Sequence, residues 1–274
     1  MGARAPVDGQ YDVNDPVKIQ GRDEVYLTDR SLAALRLRRA LAALGGGRQT
    51  LLAPGAGAGR YARAIARYRP DWKIFAGDLS SRAVEEAIRL GGGPWYSEFD
   101  AENIPFDSRT FDSVVFFDLL EHVPHPDRLL TECLRVLRPG GIMHFFVPLE
   151  AQPRTLYSLL DDDSPIPIHA WKRDHVGHIQ RFRDSDVLGL VWYAGFEVEQ
   201  SAYSFHLTGQ VHDILDYWQR ERRRGGVGIV PLSVVNLICR VAFVITWRGA
   251  YVEDRLYDGA LLASGLHVTA RRTE

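Results

Sequence analysis

Leu51-Leu52-Ala53-Pro54-Gly55-Ala56-Gly57-Ala58-Gly59-Arg60-Tyr61 sets three glycines at alternate positions directly behind a short apolar run. A strand that hands over to a glycine loop and then to a helix is how a parallel α/β sheet opens a nucleotide site, because glycine lets the backbone approach a ligand closely. Working outward, strand and helix signals alternate. Thr50–Leu52 reads as a strand, Arg60–Tyr68 as a helix, Trp72–Ala76 as a strand, Ser80–Leu90 as a helix and Pro94–Phe99 as a strand. Ser113–Phe117 (SVVFF) is an apolar run of the kind buried on both faces of a parallel sheet. Pro126 suits a first helical turn, and Leu129, Leu130, Cys133, Leu134 and Leu137 then mark one helix face. Pro139-Gly140-Gly141 is expected to end that helix and turn into a strand over Ile142–Val147. The alternation predicts a doubly wound, Rossmann-like α/β sheet.

Before this region, Ser31–Leu44 carries leucines and alanines at helical spacing and stops at Gly45-Gly46-Gly47. Beyond Pro148, residues 149–182 are rich in Pro, Asp and His. A helix over Ser185–Tyr193, a strand over Phe196–Tyr203, helices over His206–Arg224 and Pro231–Trp247, and a last strand over Gly265–Ala270 follow. The expected organisation is an N-terminal arm and helix (1–44), a cofactor-binding core (45–205), a mainly helical cap insertion (206–260) and a final core strand (261–274), with residues 149–182 contributing to the cap.

Asp78 ends the second strand roughly 20 residues after the loop, where a carboxylate can accept hydrogen bonds from both ribose hydroxyls. Two ligands fit the loop alone. Gly57-x-Gly59-x-x-Ala62 matches a dinucleotide variant, and Gly55-x-Gly57-x-Gly59 matches a loop around S-adenosylmethionine, which has no phosphate.

Several ordered segments resemble the class I S-adenosylmethionine-dependent methyltransferases, in the broad group that includes the quinone-biosynthesis enzymes. They are LLAPGAGAG (51–59), GDLS (77–80), the series IPF, FDSVV, LEHV and RVLRPGG within 99–148, and GHIQRFRDSDVLGLVWYAGFEVEQ (177–200). The resemblance covers about residues 45–203 and implies a seven-stranded sheet whose last strand, GLHVTARR, runs antiparallel. By position, Gly55, Ala56, Gly57 and Gly59 would pack on the methionine and ribose, Asp78 would hold the ribose, and Leu79 would lie on the adenine. Asp100 would reach the adenine amino group with Ala101 alongside, Phe117 would offer backbone to the methionine, and His122 would lie near that end. Ala53 departs from the family, which usually has an acid there. The product would be S-adenosylhomocysteine.

Methyl transfer needs a nucleophile placed in line with the sulfonium methyl and water excluded, and a general base only if the nucleophile must lose a proton. HAWKRDHVGHIQRF gathers His169, His175 and His178 with Asp174. The GH before a helix recurs in the resembled group, so His178 is the first candidate base and His206 the second. A solvated loop with structural histidines is the plainer alternative. His175, His178 and Asp174 make a poor metal set, with no Cys/His quartet, and no metal is expected. Cap aromatics such as Trp171, Tyr203, Phe205, Tyr217 and Trp247 suit a partly apolar small-molecule acceptor. Tyr11 and Tyr26 could close over the cofactor. The rival to an enzyme is a non-catalytic cofactor-binding or regulatory protein, which Ala53 motivates.

Bulk properties narrow the partners. A formal net charge of −2 on 274 residues argues against nucleic acid. Two cysteines, with no signal-peptide core at the N-terminus, fit a cytoplasmic protein. The run Gly225–Cys239 is uncharged, but Pro231, Asn236 and Arg240 interrupt it, so a buried or lid helix is expected ahead of peripheral membrane contact. RERRR at 220–224 reads as a solvated helix end, with an anionic surface as the sharper alternative.

Overall fold

The apolar runs become seven strands: β1 (Thr50–Pro54), β2 (Lys73–Asp78), β3 (Trp95–Glu98), β4 (Phe111–Phe117), β5 (Leu137–Pro148), β6 (Phe196–Ser204) and β7 (Gly265–Arg272). They form one sheet in the order β3-β2-β1-β4-β5-β7-β6. β1 to β5 pair in parallel, and β7 runs antiparallel between β5 and β6. This computed structural model describes residues 19–160, 163–225 and 229–274, so Tyr11, Asp161 and Asp162 lie outside the described residues. Among the described residues, eight α-helices complete the fold: α1 (Leu32–Ala43), α2 (Arg60–Tyr68), α3 (Ser81–Leu90), α4 (Pro126–Val136), α5 (Ile168–Val176), α6 (Asp184–Tyr193), α7 (Leu207–Arg223) and α8 (Leu232–Leu256).

The local causes are plain in the sequence. Ser31 and Ser80 accept hydrogen bonds from Ala34 N and Ala83 N, capping α1 and α3. β4 is buried on both faces, and Phe116 stacks on Phe145 of β5 with centroids 4.8 Å apart. Leu129, Leu130, Cys133 and Val136 of α4 enter the core on one side of the sheet, and α1 and α2 supply the core on the other. Cys133 and Cys239 are both buried free thiols.

Three expectations need correction. α4 stops at Val136, ahead of Pro139-Gly140-Gly141, because Leu137 already pairs with Phe111 and the Pro-Gly-Gly segment is the entry to β5, with Gly140 at φ 77°. α8 runs on to Leu256, past Trp247. Its buried series Val235, Cys239, Thr246, Ala250 and Asp254 keeps helical spacing through a stretch where Arg248 and Glu253 dilute the apolar pattern. Nor is α8 a buried helix. Its opposite face leaves Leu237, Ile238, Val241, Val244 and Ile245 exposed, at 43–66%. By length and composition α8 could cross a membrane.

His206 sits where α7 leaves β6, and Asp254 holds it against α8. Asp254 Oδ1 pairs with His206 Nδ1 at 2.7 Å, Asp254 Oδ2 accepts from Phe205 N at 2.8 Å, and His206 Nε2 lies 3.0 Å from Gly259 O. A carboxylate and a carbonyl can only accept, so both ring nitrogens must donate and the imidazolium is the form that satisfies the pair. Burial alone would lower the His206 pKa, but the Asp254 and Gly259 bonds, helped by Glu253, raise it above its ordinary 6.5. In this position His206 has no lone pair with which to take a proton from a substrate. It is a pin between β6, α7 and α8.

Because the folded value is raised, the stability from this pair is fully present below pH 6.5 and is lost as pH rises through the raised value. In urea titrations, the difference between wild type and His206→Gln should therefore be largest below pH 6.5 and shrink as pH rises above it. Asp254→Ala should cost about 3–5 kcal/mol at about pH 6. A pH-independent difference for His206→Gln would refute the charged pair.

Candidate functional site

The carboxyl ends of β1, β2, β4 and β5 open on one side of the sheet. Gly55 and Gly57 turn the chain out of β1 with φ of +63° and +54°. A Cβ on Gly55 would meet Leu119 at 2.5 Å, and one on Gly57 would meet Gln20 O at 2.8 Å, so the loop has room for glycine only. Ala56 N donates to Gly77 O at 2.9 Å, which ties the loop to β2. Asp78 then accepts from Gly57 N at 2.8 Å through Oδ2 and from Ser80 N at 3.0 Å through Oδ1. Burial raises the Asp78 carboxyl, opposed by the backbone donors of Ser80, Gly57 and Leu79. The loop and its acidic partner are thus one hydrogen-bonded unit.

The other positions fall around it. Leu79 is 54% exposed beside Asp78, an apolar side chain open to a planar base. Asp100 is exposed, although its Oδ1 already accepts from Glu102 N at 2.9 Å. Ala101 is buried. Phe117 ends β4 against Tyr61, with ring centroids 4.0 Å apart. Ala53 is buried in the core and brings no carboxylate to the loop. Residues 20–24 lie over the loop instead of Tyr26: Ala58 N donates to Gln20 O at 2.8 Å, and buried Arg63 reaches Glu24 and the carbonyls of Gly21, Arg22 and Asp23. Tyr26 packs instead on Arg67 at the far end of α2. The cradle, the carboxylate at the end of β2 and the open leucine together fit an adenosine-like group.

A second cluster lies at the ends of β4 and β5, and only its histidines are legible in the sequence. Buried Glu150 follows β5. It pairs with His178 Nδ1, with His169 Nδ1 at 3.2 Å and with Lys172 Nζ at 3.5 Å. Burial would raise the Glu150 carboxyl, but Lys172, His178 and His169 hold it well below its usual range. Lys172 also pairs with Asp213 of α7 at 2.8 Å, and Tyr157 donates to the same Asp213 oxygen at 2.5 Å. Gly177, left-handed at φ 83°, ends α5 and turns the chain so that His178 points back at the sheet. His122 lies in a single 3-10 turn, Leu120–His122, with Nδ1 3.1 Å from Gly177 O. Burial, then His178, pushes its pKa down to about 3. Glu121 is buried between the two histidines, and burial with Asp118 nearby keeps its carboxyl well above the usual range.

The structure therefore brings His122 and His178 together, their rings 4.8 Å apart, and sends His206 to its structural pin. His175 turns away to Glu221 of α7 and Asp174 pairs with Arg173, so the His175–His178–Asp174 set does not converge. Glu121, Glu150, Lys172 and Asp213 were missed because nothing local marks them. Only LEHV, read as part of a family pattern, carried a signal for Glu121.

Residues 52–145, about a third of the chain, match the model of a methyltransferase domain. The ubiquinone/menaquinone biosynthesis C-methyltransferase of Desulfotalea psychrophila is 32% identical over 139 residues, 49% of this chain and 52% of that one. The demethylmenaquinone methyltransferase of Clavibacter sepedonicus is 31% identical over 159 residues, 56% of this chain and 60% of that one. The chain spans about half the length of the curated relatives it matches. Among solved structures, the [4+2]-cyclase SpnF superposes with a TM-score of 0.57 at 21% identity, covering 92% of this chain and 84% of the other. A geranyl diphosphate C-methyltransferase from Streptomyces coelicolor gives 0.57 at 16%, covering 88% and 81%. At such identities these likenesses speak for the fold alone. Over residues 52–145, the match to a methyltransferase domain agrees with the sheet order and with the glycine loop tied to Asp78.

Proposed function

We propose that this protein transfers a methyl group from S-adenosylmethionine to an oxygen of a small, partly apolar molecule, acting in the cytoplasm. The observation that carries the reading is the pairing of two sites on one sheet edge: a glycine cradle bonded to Asp78, and a buried Glu–His cluster one strand over. The bound cofactor supplies an electrophilic methyl on a sulfonium. The chain's own task is to bind and orient. Asp78 and Leu79 hold the nucleoside, Gly55 to Gly59 wrap it, and the arm at Gln20 shields it from water. His178, fixed by Glu150, meets the hydroxyl of the acceptor, and the carboxylate fixes which ring nitrogen faces it. Tyr157 and Tyr217 with Ile168 form a small buried apolar core that holds the cap together beside this cluster, and the acceptor class proposed is a quinone, lipid, glycan or secondary-metabolite precursor.

A separate observation supports peripheral membrane contact as part of the proposal. The exposed apolar face of α8 is continuous over Leu237–Ile245, and Arg222, Arg223 and Arg224 close the neighbouring end of α7. An apolar stripe beside a basic end fits a helix lying in an anionic lipid surface.

Calorimetric titration with S-adenosylhomocysteine tests the cofactor site. Asp78→Ala removes hydrogen bonds of about 1.5–3 kcal/mol each and should weaken binding by about 100-fold or more. Equal affinity would remove Asp78 from the site, and no binding to wild type would favour the non-catalytic alternative. Cosedimentation with phosphatidylglycerol vesicles tests the surface. Wild type should pellet with the vesicles, and Val241→Glu with Ile245→Glu, both on the open face, should stay in the supernatant. Wild type remaining in solution would dismiss the membrane contact.

A further inference from the structure

We infer that Glu121, His122 and His178 form a binding site for a first-row divalent cation of the zinc or manganese type, set beside the proposed cofactor cradle. The first observation is the convergence of donors. His178 Nε2 lies 3.7 Å and His122 Nε2 3.9 Å from the same atom, Glu121 Oε1. One ligand atom from each of the three residues can be chosen so that all lie within 4.8 Å of one another. Those separations are too long for hydrogen bonds. Donors around one cation with bonds of about 2.1 Å lie roughly 3–3.5 Å apart, so a small inward shift completes the set.

The second observation is independent of the first. Glu121 has a side chain only 1% exposed, yet neither of its oxygens accepts a hydrogen bond among the described residues. A buried carboxylate without a partner is costly, and folded proteins rarely leave one unless an ion or ligand belongs there. The third is the outer layer. Each histidine has its Nδ1 engaged, His178 by the Glu150 carboxylate and His122 by Gly177 O, and each presents Nε2 to Glu121. Metal-ligating imidazoles are held in this way, with one nitrogen oriented by a carboxylate or carbonyl and the other on the ion.

Two imidazoles and one carboxylate select a borderline transition cation over magnesium or calcium, which prefer all-oxygen sites. Three protein donors leave coordination positions open. On the methyl-transfer reading, on which this part rests, they would take the hydroxyl oxygen of the acceptor. That makes an oxygen-bearing, metal-chelating molecule the substrate class. His178 then serves the acceptor through the cation.

The test uses the full chain, stripped with chelator and titrated with Zn2+ by calorimetry, with no cofactor present. Wild type should bind one equivalent, and Glu121→Gln, which keeps shape and loses charge, should bind at least 100-fold more weakly. Zn2+ should raise the melting temperature of wild type and not that of Glu121→Gln. Without metal, Glu121→Gln should melt no lower than wild type, because a neutral amide replaces a carboxyl whose hydrogen bonds are unmet among the described residues. His175→Ala, outside the cluster, should bind Zn2+ as wild type does. Absence of a one-to-one event in wild type, or equal affinity in Glu121→Gln, would overturn the site. Cofactor affinity is measured separately, so a protein that fails to bind S-adenosylhomocysteine yet binds Zn2+ through Glu121 would refute the methyl-transfer reading and uphold the cation site.

Discussion

The arrangement of this molecule turns on Glu150. A carboxylate buried at the end of β5 is tolerated only when opposite charge and hydrogen bonds surround it, and here His169, Lys172 and His178 do so. All three partners come from one segment, α5 and the residue after its Gly177 turn. One buried charge therefore docks that segment onto the sheet. Lys172 passes the constraint on to Asp213 of α7, and Asp213 to Tyr157. The network sets where His178 stands, and through it the distance to Glu121.

The cofactor end is built on different physics. There the fixed elements are backbone groups: Gly57 N and Ser80 N on Asp78, Ala56 N on Gly77 O, Ala58 N on Gln20 O. Backbone donors aimed at a carboxylate need no long side chain to be held in one rotamer, so this end is preorganised by the loop's bonds to β2 and to the arm at Gln20. Ala53 brings no acid to the loop, and Asp118, just past β4, is paired with Arg36 of α1. The adjacent Leu119 packs directly on Gly55.

α8 unites two demands on one helix. The side that faces α1 and α7 is closed by packing and by Asp254 binding His206. The other side presents aliphatic residues at helical spacing. Averaged hydropathy sees both sides at once, so the segment looks like a core or spanning helix when it is a two-faced one. Asn236 and Arg240, which break the apolar run in the sequence, fall where the helix can bear them: Asn236 accepts from Gln219 of α7, and Arg240 lies exposed.

By itself the sequence marked most strands and helices of the sheet and the glycine loop with Asp78, because these are written in patterns close along the chain, while the antiparallel last strand was implied by the resemblance to the methyltransferases. An apolar run, a proline at a helix start and a carboxylate one strand further on are all local patterns. What the sequence could not decide was which of the nine histidines meet. His178 and His206 look alike in the linear chain. One is turned by Gly177 toward Glu121, and the other is consumed by Asp254, forty-eight residues away. The Glu121–His122–His178 cluster joins loops from two separate parts of the chain, and only the tertiary structure, by burying one charge at Glu150, brings them to one point.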